Sequence, residues 1–153
     1  MNNEIRKRST VLVFGTFDLL HEGHISFLKQ AGRFGDFLIA VVARDKTVVD
    51  LKSRKPYHGE RTRLAAVRKI QDISKAFLGD KILYSYSILK KLKPDIICLG
   101  YDQHKLETDL CARMEKGKLP QIKIIRLRAH KPEKFKTSIV ARSLLKKSIQ
   151  SKQ

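Results

Sequence analysis

With 153 residues, 42% of them hydrophobic, and 33 lysines and arginines against 15 acidic residues, the chain can build one cored domain and carries a formal charge of +18. Only Cys98 and Cys111 occur, without CxxC or zinc-finger spacing, so a disulfide or zinc framework is excluded and both are expected to be inert buried thiols. No apolar run approaches the roughly 18 residues of a membrane helix, and the opening "MNNEIRKRS" has no signal-like apolar stretch behind it, so a cytoplasmic protein with no membrane partner is expected.

Residues 1–9 read as a flexible polar tail. "TVLVF" (Thr10 to Phe14) is a buried-strand run, and the segment behind it carries apolar residues at helical spacing, which predicts a helix over Gly23 to Arg33. A second strand is predicted over Phe37 to Ala43. Asp45 to Gly59, "DKTVVDLKSRKPYHG", mixes a short helical piece with a Pro-containing basic loop, longer than is usual between elements and of a kind often functional. A helix follows over Glu60 to Ile73, then a strand at Ala76 to Leu78, a helix at Tyr86 to Leu92 and a strand at Asp95 to Leu99. The series ends with a helix at Lys105 to Lys116, a strand at Ile122 to Leu127 and a helix at Thr137 to Lys147, with residues 148–153 as a second tail. Strand alternating with helix predicts a single α/β domain over residues 10–147, with a five-stranded parallel sheet covered by helices on both faces.

In such a sheet ligands bind beyond the carboxyl ends of the strands, near the reversal of strand order. That map singles out Gly15 to His24, Arg44 to Lys55, Gly100 to Gln103 and Arg128 to Ser138. The basic excess lies in "LKSRKP", "KKLKP", "RLRAHKPEKFK" and "LLKKSIQSK", spread along the chain. It is a field that favours polyanions; without a single basic stripe or an RNA-binding aromatic signature, no specific nucleic-acid partner is expected.

The turn "GTFDLLHEGH" (Gly15 to His24) carries the chemistry. His21 and His24 lie three apart at a helix start and share a face, Gly23 between them permits close backbone approach, and the helix N-terminus favours an anion. Two imidazoles aimed there form a phosphate site, and their near-neutral unperturbed pKa lets them hold charge on the phosphate without a permanent cation. "HEGH" is one residue short of the HExxH zinc spacing, and no metal-ligand set is expected. Neither GxGxxG nor GxxxxGK[ST] occurs, so the phosphate is held in neither of those ways.

These ten residues resemble the signature of the cytidylyltransferase-type nucleotidyltransferases, whose HxGH motif relates them distantly to class I aminoacyl-tRNA synthetases. The resemblance implies a Rossmann-like domain that transfers a nucleoside monophosphate from a nucleoside triphosphate to a phosphorylated acceptor, releasing pyrophosphate. It places His21 and His24 on the triphosphate in the transition state, with Gly15, Thr16, the Phe17 backbone and Gly23 binding phosphate. Asp18 is assigned toward the acceptor, with two further readings open: ordering of the turn, or help in holding Mg²⁺ that arrives with the nucleotide. "GDFLIAVVARDKTVVDLKSRKP" and "ERTRL" are similar to the family's second block, which makes Lys52 the loop lysine on the triphosphate, with Lys55 as the alternative, and Arg63 the acceptor-side arginine, with Arg61 beside it.

"KPDIICLGYDQH" resembles the corresponding stretch of the archaeal FAD synthases, small enzymes that adenylylate FMN, and places Gly100, Tyr101 and Asp102 against the base and ribose. Glycerol-3-phosphate cytidylyltransferases tend to show a "GDDW"-like sequence there and a further arginine where Gln71 stands. In "RLRAHKPEKFKTSIVARSLL" the resemblance assigns Arg126, Arg128, Thr137 and Ser138 to the phosphates, departing from the family in having two hydroxyls instead of three. The expected partners are therefore ATP and FMN, with Mg²⁺ carried on the nucleotide and a homodimer allowed for. Two other readings stand beside it: a cytidylyltransferase acting on a small phosphorylated alcohol such as glycerol 3-phosphate, and a nucleic-acid-binding module that kept the fold without the chemistry. Tyr57, Phe77, Tyr84, Tyr86 and Tyr101 are the rings available to a flavin, and the sequence does not choose among them.

Overall fold

The computed structural model describes residues 7–129 together with 141, 142, 144 and 145. β1 (Thr10–Gly15) leads into α1 (Glu22–Gly32), β2 (Phe37–Val42), α2 (Asp45–Lys52), α3 (Glu60–Arg68), β3 (Lys75–Leu78), α4 (Ser87–Leu92), β4 (Ile96–Leu99), α5 (His104–Glu115) and β5 (Lys123–Arg126). All pairings are parallel, in the order β3-β2-β1-β4-β5. Strand order reverses between β1 and β4, and there the chain's crevice opens.

The period-two alternation of the strands divides the core in two. Val11 and Val13 of β1, with Leu38, Ala40 and Val42 of β2, face Leu28 and Ala31 of α1 and Leu64 and Val67 of α3. Leu12, Ile39, Val41, Ile97 and Leu99 point the other way, onto Leu89 of α4 and Leu110 and Met114 of α5. Because both faces are covered, the strands read as continuous apolar runs instead of alternating ones.

The elements follow the sequence pattern with a few shifts. The helical piece expected within residues 45–59 is α2, which ends at Ser53 in a left-handed cap with φ 56°. α3 stops at Arg68, short of the Ile73 expected from periodicity: Ile70 and Ile73 donate their amides to Val67 and Ile70 in successive turns, yet still pack on the core. Apolar spacing in a turn here mimics a helix. Ser9, expected in the tail, is already tied down, since its amide donates to Asp36 Oδ2 at 2.8 Å and its carbonyl accepts from Phe37 N at 3.1 Å. Of the expected last helix, Ala141, Arg142, Leu144 and Leu145 are helical. Thr137, Ser138, most of the tail before Ser9 and the tail 148–153 lie outside the described residues. Cys98 is buried and its thiol is pushed up to about 11 by that burial, whereas Cys111, also expected to be buried, is exposed on α5. No helix among the described residues is long and apolar enough to cross a membrane.

Leu12 is fully buried at the centre of the sheet. Leu12→Ala is expected to lower the unfolding free energy by about 2–5 kcal/mol, read as a shifted midpoint in urea denaturation.

Candidate active site

The turn after β1 is shaped by a buried ring. Phe17 is 2% exposed, takes φ 53° and lies over Gly15, where an added Cβ would come within 2.7 Å of its ring. Only glycine fits beneath it. The chain then enters α1 through an N-cap made of two imidazoles. His21 Nδ1 accepts from Gly23 N at 3.1 Å, and His24 Nδ1 accepts from the His21 amide at 3.2 Å. The rings lie 3.9 Å apart, centroid to centroid, at 32°.

Those bonds fix chemistry as well as position. A nitrogen that accepts carries no proton, so each ring is the neutral tautomer protonated at Nε2, with the donor edge turned away from the helix end. Burial lowers His21 below the ordinary histidine value, and burial, His21 and Lys52 bring His24 down to about 3. The free protein therefore presents two neutral N–H donors, which corrects the expectation that these histidines themselves supply charge. The positive charge comes from Lys52, whose Nζ donates to Thr16 Oγ1 at 3.1 Å. Desolvation, with Arg54 beside it, lowers Lys52 from the usual lysine range, while Asp102 and Asp18 act in the opposite sense.

Both residues assigned to the acceptor turn out to be internal struts. Arg63 is 1% exposed, and its guanidinium donates to Thr16 O at 2.7 Å, His58 O at 2.9 Å and Asp45 Oδ1 at 2.8 Å. Asp18, 4% exposed, accepts from Tyr57 N at 2.6 Å and His58 N at 3.0 Å. Neither lines the cavity, because their polar atoms are spent on holding the basic loop against the first turn. Of the readings open for Asp18, ordering of the turn is the one the geometry supports.

The cavity at the strand ends has a volume of about 710 Å³, within the range of small-molecule sites. It brings together Gly15, Thr16, Phe17, His21, Gly23 and His24 from the first turn with Lys52, with Gly100, Tyr101 and Asp102 after β4, and with Arg128 after β5. Arg128 is held by its backbone, since Gln30 Nε2 donates to its carbonyl at 3.1 Å and its amide donates to Gln30 Oε1 at 3.3 Å. Arg126 is instead ion-paired with Glu107. Thr137 and Ser138 lie outside the described residues, and no phosphate contact is assigned to them from geometry.

Two participants carry no signal of their own in the sequence. Gln103 bridges the switch point, accepting from Gly100 N at 2.8 Å and donating to Phe14 O at 2.9 Å, which locks the ends of β1 and β4 together. Arg44 donates to Gly79 O at 2.9 Å and pairs with Glu60 at 3.8 Å, holding the segment after β3 at the cavity wall. Gln103 falls in the quoted "LGYDQ" block, but only the fold reveals what it spans. Among the described residues no group of three His, Cys, Asp or Glu side chains is placed to hold a metal ion.

Residues 12–143 match the family model described as cytidylyltransferase-like. An FAD synthase of Thermococcus sibiricus is 37% identical over 143 residues, covering 92% of this chain and 95% of the relative. One from Pyrococcus abyssi is 39% identical, covering 90% and 93%. Among solved structures, the lipopolysaccharide core biosynthesis protein of Thermoplasma volcanium superposes with a TM-score of 0.74 at 35% identity, covering 81% of this chain and 99% of that one. Pantoate-beta-alanine ligase of Francisella tularensis, at a TM-score of 0.55 and 18% identity, covers 84% and 62% and shares the fold.

Arg63→Met leaves the Thr16 and His58 carbonyls and Asp45 without their donor and is expected to cost about 3–5 kcal/mol in urea denaturation at neutral pH, with Arg63→Lys recovering only part because one ammonium cannot span the fork. A pH series tests the neutral imidazoles. Between about pH 3 and 6.5 the unfolded chain binds a proton that folded His24 does not. This stability is fully present above pH 6.5 and is lost as pH falls toward 3, at up to about 1.4 kcal/mol per pH unit. His24→Gln, which keeps an acceptor but cannot titrate, is expected to flatten that slope.

Proposed function

The chain belongs to the cytidylyltransferase-like family, and we propose on that premise that it is an FAD synthase: it transfers AMP from ATP to the phosphate of FMN, giving FAD and pyrophosphate. The observation that carries the reading is the imidazole pair at the start of α1, both Nδ1 atoms occupied by backbone amides, in a cavity where Lys52 of α2 reaches the same turn. The named relatives, matched over nearly their whole length, supply the nucleotide and the acceptor.

The chemistry follows from these groups. The nucleophile is an oxygen of the FMN phosphate, already an anion, so no base has to remove a proton. It forms a bond to the α-phosphorus of ATP while the bond from that phosphorus to the bridging oxygen breaks, and the electron pair leaves with pyrophosphate. Catalysis is then alignment plus stabilisation of charge on the phosphoryl oxygens. The Nε2–H donors of His21 and His24 meet the oxygens of the triphosphate, Lys52 neutralises it, and Arg128 takes the outer phosphates. Thr16, through its bond to the Lys52 ammonium, keeps that cation at the turn before substrate arrives. Gly100, Tyr101 and Asp102 hold the base and ribose at the end of β4. A divalent cation carried on the ATP phosphates would supply neutralisation of the charge on the departing pyrophosphate; the residues that face the same charge are Lys52 and Arg128.

The test is to incubate the purified protein with Mg²⁺, ATP and FMN, and in parallel with CTP and glycerol 3-phosphate, and to resolve the products by chromatography. FAD is expected from the first mixture. His24→Ala is expected to lower its rate by on the order of 100-fold or more, because a donor to the developing charge is lost. CDP-glycerol in place of FAD would overturn the flavin reading while leaving the nucleotidyltransfer.

A further inference from the structure

The first turn shares the cavity with the segments after β3 and after β4, and those two parts of the lining differ in character. On the β4 side stand Gly100, Asp102 and Gln103, polar groups suited to a base edge and a ribose. Elsewhere in the wall, after β3 and on α2, apolar side chains line the cavity with unusual exposure. Ile82 is 71% exposed and Leu51 41% exposed, yet both line the cavity, as do Leu83 and Tyr84. Other large exposed apolar residues among those described, such as Phe34, Phe37 and Tyr57, lie away from it.

This apolar flank is also held rigidly. Gly79 N donates to Val42 O at 2.8 Å, and Arg44 holds the Gly79 carbonyl. Ser85 N closes a turn on Ile82 O at 3.2 Å, and Ser85 Oγ donates to Asp80 Oδ2 at 2.9 Å. Tyr84 and Tyr86 both adopt left-handed backbone, with φ 61° and 54°, a conformation costly for aromatic residues and maintained only where the surroundings impose it. Tyr86 is anchored beneath: its hydroxyl donates to Asp109 Oδ2 at 2.7 Å, and Arg113 sits 5.3 Å over its ring. The Tyr84 ring rests against it, 6.2 Å centroid to centroid. A strained turn thus displays one backed aromatic ring and an unsheltered isoleucine toward a catalytic cavity.

We propose that Ile82 and Tyr84, with Leu51 of α2 in the same cavity lining, form the shelf for the isoalloxazine ring of the acceptor, making them the residues that select a flavin phosphate over a ring-less phosphorylated alcohol. The inference rests on the FAD synthase reading and names its acceptor site. A flavin is a flat ring with one apolar, dimethylated edge, and it gains from covering exposed apolar side chains and an aromatic face. A glycerol phosphate has nothing to set there. The placement also suits the reaction, since base and flavin on different parts of the lining leave both phosphates meeting at His21 and His24. Of the five rings open in the sequence, Tyr57 lies outside the cavity lining and Phe77 packs in the core beneath the sheet. Tyr86 is committed to Asp109. Tyr101 belongs to the β4 flank.

Ile82→Asn changes a side chain that is mostly in water, and Tyr84→Asn keeps a residue that tolerates left-handed backbone, so both variants are expected to fold. FMN affinity is read from quenching of flavin fluorescence and from KM for FMN, and nucleotide affinity from KM for ATP. Each variant is expected to weaken FMN by on the order of tenfold or more while KM for ATP stays within about twofold. If the wild-type protein makes FAD and both variants bind FMN as it does, or lose FMN and ATP equally, the shelf is overturned and the FAD synthase reading stands. If the wild-type protein neither binds FMN nor forms FAD, the two fall together.

Discussion

The guanidinium of Arg63 is a buried cation on which the geometry of the turn after β1 depends. It joins the turn after β1, the start of α2 and the loop before α3 through three hydrogen bonds from one planar group. Asp18 completes the arrangement, so that His58 is held at its backbone N–H by Asp18 and at its backbone C=O by Arg63. Removing a charge of either sign from water is costly unless its hydrogen-bonding capacity is met, and here both are met largely by backbone. The consequence is positional. The turn that carries Thr16 is fixed relative to the helix that carries Lys52, so a hydroxyl and an ammonium from distant parts of the chain stand 3.1 Å apart before any substrate arrives.

The histidine pair solves a related problem. A helix N-terminus needs acceptors for its first amides, a role usually filled by serine, threonine or a carboxylate. Here imidazoles fill it, and an imidazole that accepts at Nδ1 has a donor at Nε2. The same ring therefore satisfies the helix and offers a hydrogen to an anion. A carboxylate cap would satisfy the amides but repel a triphosphate. The ring contact between His21 and His24, with Phe17 tilted against His24 at 5.8 Å, holds the two donors as one unit.

Much of this was legible in the residues. The buried strands declared themselves by apolar runs, the parallel order by their alternation with helices, and the turn by a ten-residue block whose chemistry has few other uses. What stayed hidden has a common cause. Arg63 looks like any arginine near a helix start, and Asp18 like any turn carboxylate; whether such groups face substrate or backbone is decided by segments 40 or more positions away that linear spacing does not reach. The neutrality of His24 depends on burial, which sequence carries only weakly. Ile73 was placed in α3 because a turn that packs on a core repeats the spacing of a helix. Ile82 and Tyr84 are not legible as a pair in the sequence, because an exposed isoleucine has meaning only where it lines a cavity.

The distribution of charge follows from the same constraints. A site for a triphosphate invites a cluster of buried cations, but such a cluster would repel itself in the empty protein and destabilise the fold. This chain separates the tasks. Its most buried cation, Arg63, is offset by Asp45 and by carbonyls and serves structure. The start of α1 presents neutral donors, and cationic side chains such as Lys52 and Arg128 stand around them in the cavity wall. The +18 of the whole chain then acts at a distance, raising the encounter rate with polyanions while being screened beyond about 8–10 Å in physiological salt. Once a triphosphate enters the cavity and displaces water, the few charges within it strengthen, because screening there is weaker than at the surface. A broad field thus draws anions toward the protein, while the first turn itself offers two uncharged rings beside the Lys52 ammonium.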